Sequence, residues 1–258
     1  MDLGIDNKVA IVAGGSKGIG RSIARTLATE GARVVICARN ADEVEDTAAA
    51  MRADDLDVIG VADDLTDAGA GDRLVARTLD HFGGVDIVVN NIGGNLKGAA
   101  AELTDDEWVE ILDLNLLSSM RLTRAAVPHL VEQQSGSIVF IASIFGRETG
   151  GAGRAAYTTS KAAMISAAKV MALELAPTGV RVNSVAPGSI AHPESTWARY
   201  LEQDPEGMSR FIEANLPLGR FGTAEEVADV VTFLASERAS LITGACLTVD
   251  GSQSRSGI

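Results

Sequence analysis

The chain has 258 residues, 46% of them apolar and only 4% aromatic, and a formal charge of −13. That length suits one open α/β sheet with a sizeable core. The acidity argues against nucleic acid, whose phosphates need a basic face, and against an anionic membrane surface; no apolar run approaches the ~20 residues of a membrane span.

Residues Met1 to Lys8 lack the basic and apolar regions of a signal peptide, so a cytoplasmic protein is expected. A strand is predicted over 9–13, a glycine-rich turn over 14–20 and a helix over 18–30, which Gly31 ends. Strands follow at 34–38, 58–62 and 87–90, with helices at 41–52 and 70–82 between them. Helices are then predicted at 105–115 and 118–133, a strand at 137–143, a helix at 157–176 and a strand at 180–186. A helix at 224–236 and a strand at 246–250 close the chain. Most strand segments are almost continuously apolar, as expected of strands buried on both faces. Strands alternating with helices imply βαβ units, right-handed crossovers and a parallel sheet. The expected fold class is therefore α/β: a doubly wound, mostly parallel, Rossmann-like sheet of about seven strands with helices on both faces.

Residues 188–222 form the one long irregular stretch, carrying Trp197, Tyr200, Met208 and Phe211 among acids and punctuated by Pro193, Pro205 and Pro217. Long insertions in compact domains are often functional. The expectation is a single domain over 1–258 with a mobile substrate lid at about 188–222; a helical pair that only packs on a neighbouring subunit is the alternative. Cys37 and Cys246 lie in apolar stretches without metal-type spacing and read as buried free thiols.

Two patterns carry chemistry. The first is Gly14-Gly15-Ser16-Lys17-Gly18-Ile19-Gly20, where a first strand runs into a first helix. Glycines allow a ligand to approach the backbone, and the helix N-terminus offers N–H groups and a positive dipole to a pyrophosphate. At the end of the second strand stands Cys37-Ala38-Arg39, without the acid that would hold a ribose 2′-hydroxyl. Arg39, with Lys17 from the glycine turn, suits a 2′-phosphate, so NADP(H) is expected over NAD(H); ordinary surface cations are the alternative. The second pattern is Tyr157-Thr158-Thr159-Ser160-Lys161, with Ser143 upstream. Residues four apart share a helix face, which sets a phenol beside an ammonium. A nearby cation favours the phenolate and lowers a pKa that is ordinarily about 10. Such a phenol can exchange a proton with an oxygen that gains or loses a hydride.

Together with Asp64-Leu65, Asn90-Asn91-Ile92-Gly93, Asn115, Pro187-Gly188 and Leu247-Thr248-Val249-Asp250-Gly251, these stretches make the chain resemble a short-chain dehydrogenase/reductase over essentially its whole length. It is similar to the compact single-domain branch, and most of all to 3-oxoacyl-carrier-protein reductases. The resemblance implies Tyr157 as general acid/base. It implies Lys161 as the residue that binds the nicotinamide ribose and acidifies Tyr157, Ser143 as a partner of the substrate oxygen, and Asn115 as the holder of a relay water. It also implies coenzyme contacts from Gly14, Ser16, Lys17, Ile19 and Gly20 of the turn and from Arg39. Asp64 is implied at the adenine amino group with Leu65 beside the ring, Asn91 and Gly93 at the adenosine ribose, and Pro187, Gly188 and Ile190 around the nicotinamide. Asn90 reads as structural. The chain departs from the family pattern at Ile92, where alanine is usual, at His192, where threonine often contacts the coenzyme, and at Ser252, where a second glycine often stands. His192 reads either as a substrate contact or as a loop residue.

The expected reaction is reversible hydride transfer between the coenzyme and a carbonyl or secondary alcohol. Carrier-protein reductases usually display basic residues near the end of the fifth major helix and on the tyrosine helix. Here those places read Val131-Glu132-Gln133-Gln134-Ser135 and Ala172-Leu173-Glu174. Like charges slow encounter with an acidic carrier, so a free small substrate is expected, with 3-oxoacyl-carrier-protein reduction as the alternative. A non-catalytic cofactor-binding regulator, and a dehydratase or epimerase, fit less well. Apolar residues beyond the needs of one sheet face, in 105–133 and in the tyrosine helix, point to oligomerisation, and the resemblance implies a homotetramer that pairs these helices across two-fold axes.

Overall fold

The computed structural model describes residues 2–256. Seven parallel strands form one sheet in the order β3-β2-β1-β4-β5-β6-β9: β1 Val9–Ala13, β2 Arg33–Ala38, β3 Val58–Ala62, β4 Ile87–Asn90, β5 Gly136–Ile141, β6 Val180–Pro187 and β9 Cys246–Val249. Strand order reverses between β1 and β4, which opens a crevice at their carboxyl ends. This is the expected α/β, Rossmann-like architecture.

The side-chain period of two divides each strand between two buried faces. From β1, Ala10 and Val12 join a core layer with Ile23, Leu27, Val44, Val227 and Val231. Ile11 and Ala13 point the other way, into a layer with Leu74, Leu122, Leu130 and Met164. Helices α1 (Gly18–Thr29), α2 (Ala41–Arg52) and α9 (Ala224–Ala235) cover the first face. Helices α3 (Ala70–Phe82), α5 (Ser118–Glu132) and α6 (Ala155–Leu175) cover the second. Two-sided burial is why the strands read as unbroken apolar runs. Helix starts are chemically marked: Asn40 caps α2, while Thr104 with Glu107 and Thr223 with Glu226 form capping boxes on α4 (Asp105–Leu112) and α9.

Two regions differ from expectation. Between α4 and α5 the chain does not break; residues Asp113–Leu117 make a π-helical turn carrying Asn115. A π-turn leaves no gap in the apolar pattern, so periodicity misses it. Residues 188–222 are mostly regular. Helices α7 (Thr196–Gln203) and α8 (Pro205–Asn215) fill the stretch, and short strands β7 (Ile190–Ala191) and β8 (Gly222–Thr223) pair at its base. Ser195 caps α7 and Asp204 caps α8 ahead of Pro205. Those cap signals were present in the sequence, but the prolines masked them. Trp197 ties the pair together, 4.9 Å from the Phe211 ring and 5.0 Å from the Phe221 ring.

The central layer is close-packed around Phe140, which is fully buried on β5. Phe140→Ala should cost about 3–5 kcal/mol of unfolding free energy, read from the midpoint shift in chemical denaturation.

Candidate active site

The glycine turn lies at the β1–β4 switch point, over a cleft of about 600 Å³ lined by Gly14, Ser16, Lys17, Gly18 and Ile19 on one side and Arg39, Asn40, Asp64, Asn91 and Gly93 on others. Helix α1 opens here without a side-chain cap and without an acid in its first turn. Helices leave their first N–H groups unpaired, so this end faces the cleft as a bare donor set. Gly14 and Gly18 hold left-handed φ of 72° and 54°, which suit glycine. The Asn91 amide donates to the Gly14 carbonyl at 3.0 Å and ties the turn to β4. A Cβ on Gly20 would fall 2.0 Å from the Gly14 carbonyl oxygen. Gly20 is therefore a packing glycine that lets the turn close against the helix, and it does not line the cleft. Leu65 is likewise 1% exposed and packed in the core, so its side chain is not placed beside an adenine ring.

At the far rim, Arg39 lies 3.8 Å from the Asp64 carboxylate, and Lys17 lies 3.7 Å from Glu43. Both cations are largely exposed, and exposed pairs of this kind are worth only ~0–1 kcal/mol. Burial opposes ionisation of Asp64, but hydrogen bonds from the Thr66 N–H and hydroxyl, with Arg39 nearby, hold its carboxyl below the usual range. Glu43, on the first turn of α2, is a rim acid that the motif search passes over.

A second cleft of about 440 Å³ joins the first through Ile19, Asn91 and Gly93. Its walls include Ser143, Tyr157 and Lys161, with Pro187, Gly188 and Ile190 opposite. Ser143 lies just past β5 in extended backbone and accepts from the Phe145 N–H at 3.2 Å. Tyr157 and Lys161 sit one turn apart on α6. The Lys161 ammonium is buried and donates to the Ile141 carbonyl at 2.8 Å. Asn115 is fully buried; its amide oxygen accepts from Gly94 N–H at 2.7 Å, and its amide nitrogen donates to the Gly94 carbonyl and the Ser160 hydroxyl. That side chain anchors the Gly93–Gly94 loop to α6. Asn90 links β4 to α5 through Thr123, away from the clefts.

Burial dominates the electrostatics of the tyrosine–lysine pair. Spacing alone predicts that Lys161 acidifies Tyr157. In the structure, burial raises the Tyr157 phenol above its ordinary value, and the groups that oppose this are the Ser143 hydroxyl and the Arg154 guanidinium. The Lys161 ammonium is 6.0 Å from the phenol ring centre. Burial also lowers Lys161 itself, to about 8. Burial weighs against the charged form of each group, the phenolate and the ammonium.

His192 is not an idle loop residue. Its Nδ1 lies 3.1 Å from Glu194, which in turn pairs with Arg21 at 2.8 Å. Its Nε2 would be 2.6 Å from a Cβ on Gly18, so the ring covers the phosphate turn. Glu194 and Arg21 had no signal in sequence; they meet because the segment after β7 comes against the start of α1. Another hollow, of about 550 Å³, lies at the amino ends of the strands and includes Lys8, Asp86 and Arg181, but none of the candidate residues. Among the described residues no group of three or more His, Cys, Asp or Glu is placed to hold a metal, and no helix is long and apolar enough to cross a membrane.

Comparison with known proteins agrees with this architecture. A family model described as enoyl-(acyl carrier protein) reductase matches residues 13–252. The chain is 39% identical over 246 residues to a dehydrogenase/reductase SDR family member 4 from Oryctolagus cuniculus, covering 95% of this chain and 93% of that protein. It is 37% identical over 249 residues to the 3-oxoacyl-[acyl-carrier-protein] reductase FabG of Salmonella typhimurium, covering 96% and 98%. The crystal structure of L-sorbose reductase from Gluconobacter frateurii, complexed with NADPH and L-sorbose, superposes with a TM-score of 0.92 at 33% identity, covering 98% of each chain. With the switch-point crevice, the glycine turn and the Ser143, Tyr157 and Lys161 cluster around one cleft, these matches establish that the chain belongs to the short-chain dehydrogenase/reductase family, oxidoreductases that bind a nicotinamide coenzyme and act on CH–OH and C=O groups.

Proposed function

We propose that this protein is an NADP(H)-dependent reductase/dehydrogenase of a small free carbonyl or secondary alcohol, with Tyr157 as its general acid/base. The observation that carries the reading is the convergence of Ser143, Tyr157 and Lys161 on a cleft continuous with the bare N-terminus of α1. When bound, the coenzyme supplies or accepts a hydride at its nicotinamide. The residues present fit it: the uncapped helix end suits a pyrophosphate, and Gly14, Ser16 and Ile19 line that approach. Asp64, Asn91 and Gly93 are assigned to the adenosine end, and Pro187, Gly188 and Ile190 to the nicotinamide end.

Ser143 donates to the substrate oxygen and holds it near the phenol. With its pKa raised, Tyr157 is protonated at neutral pH and gives its proton to the oxygen as a carbonyl is reduced; it takes one back in the reverse direction. Lys161 stays mostly protonated near pH 7 and offers its remaining N–H groups to the coenzyme ribose. Asn115 keeps Gly93 against Lys161: a Cβ at Gly93 would lie 3.2 Å from both the Asn115 amide oxygen and the Lys161 ammonium. Its amide groups are already engaged, so the relay water is assigned to the space beside Lys161 rather than to the Asn115 amide nitrogen. Arg39 and Lys17 meet the 2′-phosphate by leaving weak surface pairs with Asp64 and Glu43.

Residues 188–222 act as the lid of a single catalytic domain, with Thr196 and Trp197 reaching the substrate cleft. The free thiols Cys37 and Cys246 suit a reducing, cytoplasmic setting. Exposed Val109, Leu117, Val170 and Leu173 on the α4 to α6 face suit assembly into a homotetramer. Reduction of carrier-bound 3-oxoacyl groups is the second reading, favoured by the FabG match; Glu132 and Glu174 stand where a basic docking face would be needed.

Tyr157→Phe should bind NADPH with unchanged affinity by fluorescence titration yet lose about 10²–10⁴ in kcat; near wild-type turnover would defeat the mechanism. Arg39→Asp should lower the ratio of NADPH to NADH kcat/KM by ten-fold or more, and an unchanged ratio would exclude the 2′-phosphate assignment. Lys161 also predicts a pH effect on stability. Its folded pKa of about 8 lies below the ordinary 10.5, so the unfolded chain holds this proton more tightly. The penalty for burying the charge is present below about pH 8 and is relieved as pH rises toward 10.5. Wild type should therefore gain stability over that window relative to Lys161→Met in denaturant titrations; parallel curves would contradict a buried ammonium.

A further inference from the structure

The cleft beside Tyr157 has no carboxylate among its lining residues, although the chain carries 35 Asp and Glu. Its cationic side chains are Lys161, Arg154 and, when protonated, His192. Lys161 is bonded to the Ile141 carbonyl, and His192 is held by Glu194. Arg154 differs. Among the described residues, no carboxylate or carbonyl accepts a hydrogen bond from its guanidinium, and no acid lies within ion-pair distance of it.

Yet Arg154 is held in place. It precedes α6 by one residue, three positions ahead of Tyr157. Its backbone bridges to Gly98, whose N–H donates to the Gly153 carbonyl at 3.1 Å. Its guanidinium lies over the Phe145 ring, 5.0 Å from the centre. Gly150 closes against the same pair: a Cβ there would come 3.0 Å from the Phe145 ring and 3.2 Å from Arg154 Cδ. The guanidinium is close enough to the phenol to favour its ionised form. A guanidinium keeps its charge at every physiological pH and presents a planar fork of donors that matches a carboxylate. Stacking on an aromatic face preorganises that fork while leaving its edge free. An acidic chain that keeps carboxylates out of this one cleft, and leaves a packed arginine there unpaired, has built half of an ion pair.

We propose that Arg154 binds a carboxylate of the substrate, so that the enzyme prefers ketones or secondary alcohols that carry a free carboxylate over neutral carbonyls and carrier-bound thioesters. This rests on the carbonyl/alcohol reading of the site and names its substrate class. Arg154 is then the specificity-determining residue, with the reacting oxygen at Ser143 and Tyr157 and the anionic end at the guanidinium.

The test compares initial rates, with NADPH and with NADH, for acetoacetate, levulinate and 5-oxohexanoate against their methyl esters and the N-acetylcysteamine thioester of acetoacetate. At least one acid should exceed its ester ten-fold or more in kcat/KM. In Arg154→Gln that acid-to-ester ratio should fall ten-fold or more, through a raised KM for the acid, and Arg154→Lys should restore part of it. Calorimetric titration of the NADP⁺-saturated protein with the same three acids gives a readout independent of turnover, with saturable binding expected in wild type and lost in Arg154→Gln. Esters or the thioester turned over as well as the acids, or a variant that shifts acid and ester in parallel, would overturn the assignment while leaving the oxidoreductase reading intact. If no carbonyl is turned over, the redox reading falls, and the titration alone decides Arg154: binding lost in the glutamine variant supports it, and no binding in wild type sinks it.

Discussion

The site is organised by one buried hydrogen bond, from the Lys161 ammonium to the Ile141 carbonyl at 2.8 Å. It joins α6 to the carboxyl end of β5, and so sets where Tyr157 and Ser143 meet. A buried ammonium with a single protein acceptor is costly, and its pKa falls accordingly. The fold keeps it because neighbouring polar groups are already committed. Asn115 is spent on Gly94 and Ser160, and Ser160 itself donates to the Tyr157 carbonyl. The result is a polar floor under the cleft in which one cation retains donors to spare.

The coenzyme side follows the same logic with backbone groups instead of side chains. Helices α2, α4, α7, α8 and α9 are capped by Asn, Thr, Ser or Asp side chains, and α2, α4, α8 and α9 begin with acids. Helices α1, α5 and α6 have neither, and of these α1 is the one that opens at the glycine turn. Its donors face the cleft over the glycine turn, where His192, from the segment after β7, is held by Glu194, itself paired with Arg21. Acidic residues are thus plentiful on the surface, absent from the lining of the cleft beside Tyr157 and present in the cleft over the glycine turn as Glu43, Asp64 and Glu194.

Much of this was legible in the residues. Continuous apolar strands marked a doubly buried parallel sheet, and the glycine turn between β1 and α1 located the crevice. The four-residue step from Tyr157 to Lys161 put both on one helix face. Less visible were the π-turn at Asn115, which adds no break to the apolar pattern, and the helical content of 188–222, where three prolines read as irregularity although Ser195 and Asp204 were cap signals.

The linear chain by itself determined element order, the two-faced core and the chemical types gathered at the site, because these depend on local periodicity and on motif spacing. Tertiary structure alone decided the charge balance. Burial pushes the phenol up and the ammonium down, and desolvation depends on everything packed above and below them, which residue spacing does not carry. It also brought Arg154 over Phe145 and Glu194 between His192 and Arg21, contacts between segments whose sequence positions carry no mutual signal.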